Sequence, residues 1–140
     1  MTISHGIRSI TAAAAARAAE AALACGAGRG AAVVAAVVDH GGHLLALLRA
    51  DGAFTASLDM ARDKAWTAAT FGMSTDRLCA LVDGHGVLRD GIGRRPGVIL
   101  FGGGTPLLEE GHLIGAIGVS GGSEDDDRAC AEAGIKALGL

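Results

Sequence analysis

The chain has 140 residues, a net charge of −3 and 50% hydrophobic residues, but only 3% are aromatic and none is tyrosine. That length suits one domain, residues 1–140, around a single core. The mild charge, the lack of a basic stripe and the scarcity of stacking side chains argue against nucleic acid as a partner, and no stretch is long and apolar enough to span a membrane. The cysteines Cys25, Cys79 and Cys130 are odd in number and far apart, with neither a Cys-x-x-Cys pair nor zinc spacing. They read as free thiols in a reducing compartment, and the chain as a mature cytoplasmic protein. A core of alanine, valine, leucine and isoleucine is thin, and association into a homo-oligomer is one way to enlarge it.

Ser9 or Thr11 can cap an alanine-rich helix running to about Ala24, which stops in the glycine-rich segment Cys25 to Gly30. Ala31 to Asp39 is a continuous Val-rich run and predicts a buried strand; His40-Gly41-Gly42 turns it, and His43 to Arg49 forms the second arm of a hairpin. After a turn at Asp51-Gly52, a helical pattern extends to about Phe71-Gly72. Ser74 or Thr75 caps a shorter helix ending near Val82, and Asp83 to Arg95 reads as a long glycine- and charge-rich loop. Strands follow at Val98 to Phe101, Thr105 to Glu109 and Leu113 to Ser120, then a helix from Glu124 to about Leu138. Ser123 and Asp126 have the spacing of a capping box, and the acidic first turn, Glu124 to Asp127, suits the helix dipole or a hard cation. The expected fold is α+β: a five-stranded antiparallel sheet flanked by helices, in the order α-β-β-α-α-β-β-β-α.

The densest chemistry lies between Arg49 and Ala69. Ser57, Met60, Ala61, Lys64 and Ala68 share one helix face, small and mostly apolar, yet it carries a lysine. Such a lysine either loses water and requires a partner, or carries its ammonium out to solvent. Gly102-Gly103-Gly104-Thr105-Pro106 is either a turn that only glycine makes or a set of backbone amides aimed at an anion. With Ser120, Gly121, Gly122, Arg49 and Lys64, the segment containing Gly103, Gly104 and Pro106 would line a pocket for a carboxylate or planar anion. His85, between glycines in the long loop, is the histidine best suited to be an axial haem ligand or an acid/base group.

Three blocks of residues resemble the GlcG/HbpS family, a pattern shared with the C-terminal domain of PduO-type cobalamin adenosyltransferases. The first is Asp39-x-x-Gly42-x-Leu44 with Arg49-x-Asp51-Gly52-Ala53, and the second is Ser57-x-x-x-Ala61-x-x-Lys64-Ala65-x-Thr67-Ala68. The third is Gly103-Gly104-x-Pro106-Leu107 with Gly111-x-x-Ile114 to Gly121. The resemblance spans about Thr11 to Leu138. It implies a five-stranded antiparallel sheet flanked by helices and a homo-oligomer, from dimer to octamer. It also implies haem or a related tetrapyrrole as the ligand.

Three functional readings follow. The first is an oligomeric cytoplasmic protein that binds haem or a related tetrapyrrole. The second is a cofactor-independent isomerase, tautomerase, lyase or hydrolase for an anionic carboxylate metabolite. In it Arg49 or Arg94 holds the carboxylate, Lys64 or His85 moves a proton, Asp51 or Asp59 sets its pKa, and the glycine amides stabilise an oxyanion. The third is an assembly or chaperone-like accessory subunit.

Overall fold

The computed structural model describes residues 1–140. The elements are α1 (Ala12–Gly28), β1 (Val34–Asp39), β2 (Leu44–Arg49), α2 (Ser57–Phe71), α3 (Thr75–Val82), α4 (Gly86–Gly93), β3 (Gly104–Glu109), β4 (His112–Ser120) and α5 (Glu124–Lys136). The four strands form one antiparallel sheet in the order β2-β1-β4-β3. The α+β class holds, but the sheet has four strands rather than five, and the element order is α-β-β-α-α-α-β-β-α.

Two local differences account for this. The segment Val98 to Phe101 is not a strand: the Val98 amide closes a turn on the Arg95 carbonyl at 3.2 Å, and a side chain of α2 holds the backbone on either side of Val98. Thr67 Oγ1 donates to the Gly97 carbonyl at 2.8 Å and accepts from the Ile99 amide at 3.1 Å. The expected loop between Asp83 and Arg95 contains α4, whose first turn closes when the Arg89 amide donates to the His85 carbonyl at 2.8 Å. Glycines at 86, 91 and 93 disguise that helix, since glycine is a poor helix former.

Helices α1, α3 and α5 start at side-chain caps. Thr11 Oγ1 accepts from the Ala14 amide, and Ser74 Oγ accepts from the Arg77 amide. At α5 the capping box is complete: Ser123 Oγ accepts from the Asp126 amide at 3.1 Å, and Asp126 Oδ2 accepts from the Ser123 amide at 3.2 Å. Ser9 does not cap; its Oγ accepts from the His40 amide and ties the N-terminal lead to the β1–β2 turn.

Strand β1 is buried on both faces. Val33, Ala35 and Val37 pack with Ala18 and Ala22 of α1 and Ala131 of α5, whereas Val34, Ala36 and Val38 pack with Ala61, Ala65 and Ala68 of α2. The result is three layers, α1 and α5 on one face of the sheet and α2 on the other. This explains why β1 reads as a continuous apolar run instead of an alternating one. Small residues set the layer spacing. A Cβ at Gly118 of β4 would lie 2.1 Å from the Ala61 carbonyl oxygen, so α2 rests on bare backbone there. No helix is long and apolar enough to cross a membrane.

Candidate functional site

Ser57, Ala61, Lys64 and Ala68 are all buried on the face of α2 that meets the sheet. Three glycines crowd Lys64. A Cβ at Gly118 would come within 3.0 Å of its own Cβ, one at Gly104 within 2.5 Å of its carbonyl oxygen, and one at Gly103 within 2.8 Å of its Nζ. The side chain threads this gap past the ends of β3 and β4. There Nζ donates to the Val119 carbonyl at 2.8 Å and to Asp127 Oδ2 at 3.0 Å, and lies 5.2 Å from the centroid of the Phe101 ring. Lys64 is 1% exposed and Asp127 4%. The other oxygen of Asp127 accepts from the Gly122 amide at 3.0 Å. Burial pushes the Asp127 carboxyl above its ordinary range, against the opposing pull of Lys64 and the Gly122 amide.

A surface depression of about 250 Å³ opens above this pair. Phe54 and Phe101 are partly exposed beside it, and Ser57, Ser120, Gly121 and the Lys64–Asp127 pair line its floor. The Ser120 hydroxyl lies 3.3 Å from that of Ser57. Of the residues singled out in the sequence, Ser57, Met60, Lys64, Ser120, Gly121 and Gly122 meet here. Gly103 and Gly104 stand immediately behind the lysine.

The remaining candidates lie elsewhere. Pro106 pairs with Ala116 within the sheet. Arg49 ends β2, exposed, opposite Val34. Asp51 borders a different depression, between Leu23 and Ala27 of α1 and the segment Ala31–Ala32. Arg94 is the exposed C-cap of α4, and His85 its exposed N-cap. His85 borders a third depression, of about 440 Å³, with Gly86, Val87 and Leu88. The single pocket expected from sequence is therefore divided among separate surfaces.

The acidic first turn of α5 does not converge on one point. Glu124 accepts from the Gly102 amide, Asp125 pairs with Arg128, Asp126 pairs with Arg29, and Asp127 pairs with Lys64. The glycine-loop amides of Gly102 and Gly122 do meet anions, but these are the carboxylates of α5 itself. The partner of Lys64 is thus Asp127, not Asp51 or Asp59. A signal for it existed: Asp127, Cys130, Ala131 and Gly134 recur at helical spacing and form the buried face of α5. Phe54 and Phe101 carried no local signal, because each lies outside a helix or strand.

Small residues and a three-layered α+β fold with a buried Lys64–Asp127 pair under one shallow depression define the class of domain. Residues 10–136 match the family described as haem degrading protein HbpS-like, and the chain belongs to that family. The GlcG/HbpS resemblance read from the sequence is thereby borne out. The chain is 38% identical over 104 residues to an uncharacterized 15.0 kDa protein of Citrobacter freundii, covering 74% of this chain and 73% of that one. Its fold superimposes on the crystal structure of Klebsiella pneumoniae protein ORFY with a TM-score of 0.92 at 33% identity, covering 100% of this chain and 97% of the other. It also superimposes on the crystal structure of a PduOC haem complex with a TM-score of 0.83 at 30% identity, covering 92% and 94% of the two chains.

Proposed function

We propose that this chain is a cytoplasmic homo-oligomeric protein that binds haem or a related tetrapyrrole through His85. Membership of the HbpS-like family and the similarity to PduOC, whose structure is a haem complex, support the ligand class. The observation that carries the assignment to a surface is the setting of His85. Haem needs an axial donor open to approach and apolar surface against the macrocycle. His85 is exposed at the start of α4, and Val87 and Leu88 beside it are 91% and 50% exposed. The residues present therefore fit the group on one side.

His85 would supply the imidazole nitrogen to iron. Val87 and Leu88 would contact the ring, and the guanidiniums of Arg89 and Arg94, on the same helix and at its end, would meet the propionates. Helix α4 packs chiefly on α3 and offers a shelf with no opposing wall. A second copy of the chain would be needed to enclose the ring. Bound haem would supply iron-centred ligand and electron chemistry.

The test is a haemin titration followed by absorption spectroscopy, with the oligomer mass measured in parallel. A saturable Soret band at one haem per chain or per dimer, lost in His85→Ala, is the expected result. A weak, non-saturating change equal in both proteins overturns the reading.

A further inference from the structure

The depression above Lys64 is built differently from the His85 shelf and shares no lining residue with it. We propose that it is a separate site for a small neutral aromatic molecule carrying a hydroxyl group, a phenol or a naphthol in class.

The walls indicate the ring. The chain has three phenylalanines and one tryptophan, and two of those phenylalanines, Phe54 and Phe101, border this depression while 70% and 45% exposed. Aromatic faces left in water gain from an offset or edge-on ring partner. Size limits the ligand: a cavity of about 150 Å³ accommodates benzene, and about 250 Å³ suits one or two fused rings.

The floor indicates the hydroxyl. Ser57 and Ser120 are 1% and 5% exposed, and their hydroxyls share one hydrogen bond. Each hydroxyl carries one donor and two acceptor positions, so the pair keeps capacity both to donate to and to accept from a phenolic O–H.

Charge excludes the carboxylate expected from the sequence. The one cation of the floor, Lys64, is already neutralised by Asp127 and turned toward the Val119 carbonyl and the Phe101 ring. Glu124 adds a second carboxylate to the lining, itself 3.6 Å from Arg128 Nη2, while Arg49 and Arg94 do not border the depression. An anion entering here would find no cation left unpaired and would lie beside the carboxylates of Asp127 and Glu124, and like-charge juxtaposition disfavours it.

The test titrates the full chain with 2-naphthol, 2-naphthoate and naphthalene, followed by ligand fluorescence anisotropy. Phe54→Ala and Ser57→Ala serve as site variants and His85→Ala as the control, with circular dichroism to check that each is folded. Saturable binding of 2-naphthol at one per chain is expected. It should weaken about fivefold in Phe54→Ala and about threefold in Ser57→Ala, and be unchanged in His85→Ala. Binding of 2-naphthoate should be weaker by about tenfold, and that of naphthalene by about threefold. No saturable binding of 2-naphthol, equal binding in Phe54→Ala, or tighter binding of 2-naphthoate overturns the proposal. Because the control variant removes only the haem donor, failure of this site and failure of the haem reading are separate results.

Discussion

Lys64 and Asp127 belong to helices on opposite faces of the sheet, and their side chains meet at 3.0 Å beyond the ends of β3 and β4. The pair pins the α2 layer to the α5 layer where no strand separates them. Breaking one partner of a buried pair leaves an uncompensated charge, whereas replacing both with apolar groups can be neutral. Lys64→Met should therefore lower unfolding stability by about 3–5 kcal/mol. The double variant Lys64→Met/Asp127→Leu should recover most of that loss. Urea denaturation of both proteins decides it, and a single variant within about 1 kcal/mol of the wild type would show that the pair is not a structural tie.

The contact of α2 with β4 depends on a missing side chain. A Cβ at Gly118 would lie 2.1 Å from the Ala61 carbonyl oxygen and 2.5 Å from the Ala65 amide, both rigid helix backbone. Gly118→Ala should cost about 1–3 kcal/mol or more as the helix is pushed off the sheet. Gly91, inside α4, has nothing within 4 Å of its virtual Cβ. Gly91→Ala should stabilise by about 0.4–1 kcal/mol, mostly by restricting the unfolded chain. Thermal or urea midpoints of the two variants should move in opposite directions.

Thr67 holds the segment that fails to become a strand. Its hydroxyl donates to the Gly97 carbonyl and accepts from the Ile99 amide. Thr67 is 0% exposed, so Thr67→Val keeps the shape and strands two backbone groups. The expected loss is about 1–3 kcal/mol, together with faster hydrogen exchange at the Ile99 amide. Unchanged exchange at Ile99 would mean that other contacts hold the segment.

Arg128 ties α5 to α3 through Asp76, with Nη2 and Nε donating to its two carboxylate oxygens at 2.8 and 2.9 Å. The hydrogen bonds from Arg128 hold the Asp76 carboxyl below its ordinary value of 3.8. Between the folded and unfolded values the unfolded chain binds more protons, so stability rises with pH there. The contribution is complete above pH 3.8 and disappears as pH falls through the depressed folded value. Asp76→Asn should therefore be less stable than the wild type at neutral pH, by no more than about 1 kcal/mol because the pair is solvent-screened. The difference should vanish on acidification. A urea titration series over pH tests the sign, and a gap that widens toward low pH would contradict it.

Much of the fold could be read in the residues. The alanine run predicts α1, the continuous valine run predicts a strand covered on both faces, and Ser123 with Asp126 predicts the start of α5. The ordered glycine and charge blocks lead to the HbpS-like family. Lys64 also stood out, because a lysine on a small-residue face has to be resolved one way or the other. The misread segments were those where a local signal met a tertiary competitor. Val98 to Phe101 has strand composition, yet its Val98 amide turns back to Arg95 and its Ile99 amide goes to Thr67. Helix α4 is glycine-rich, yet it closes its turns beside α3.

What the sequence determined by itself was therefore much of what a period or a cap governs: where α1, α3 and α5 begin and which faces of the long elements are apolar, whereas α1 runs on to Gly28, beyond its expected end near Ala24. Such starts and faces depend on neighbours within one or two turns along the chain. Only the tertiary structure decided that Lys64 is answered by Asp127, 63 positions away, rather than by the nearer Asp51 or Asp59. The same holds for Phe54 and Phe101, which face one depression, and for His85, which stands on another surface. The physical reason is that a buried charge takes whatever counter-charge the packed backbone delivers to it. That delivery is set by glycines that let three layers close together, not by distance along the chain.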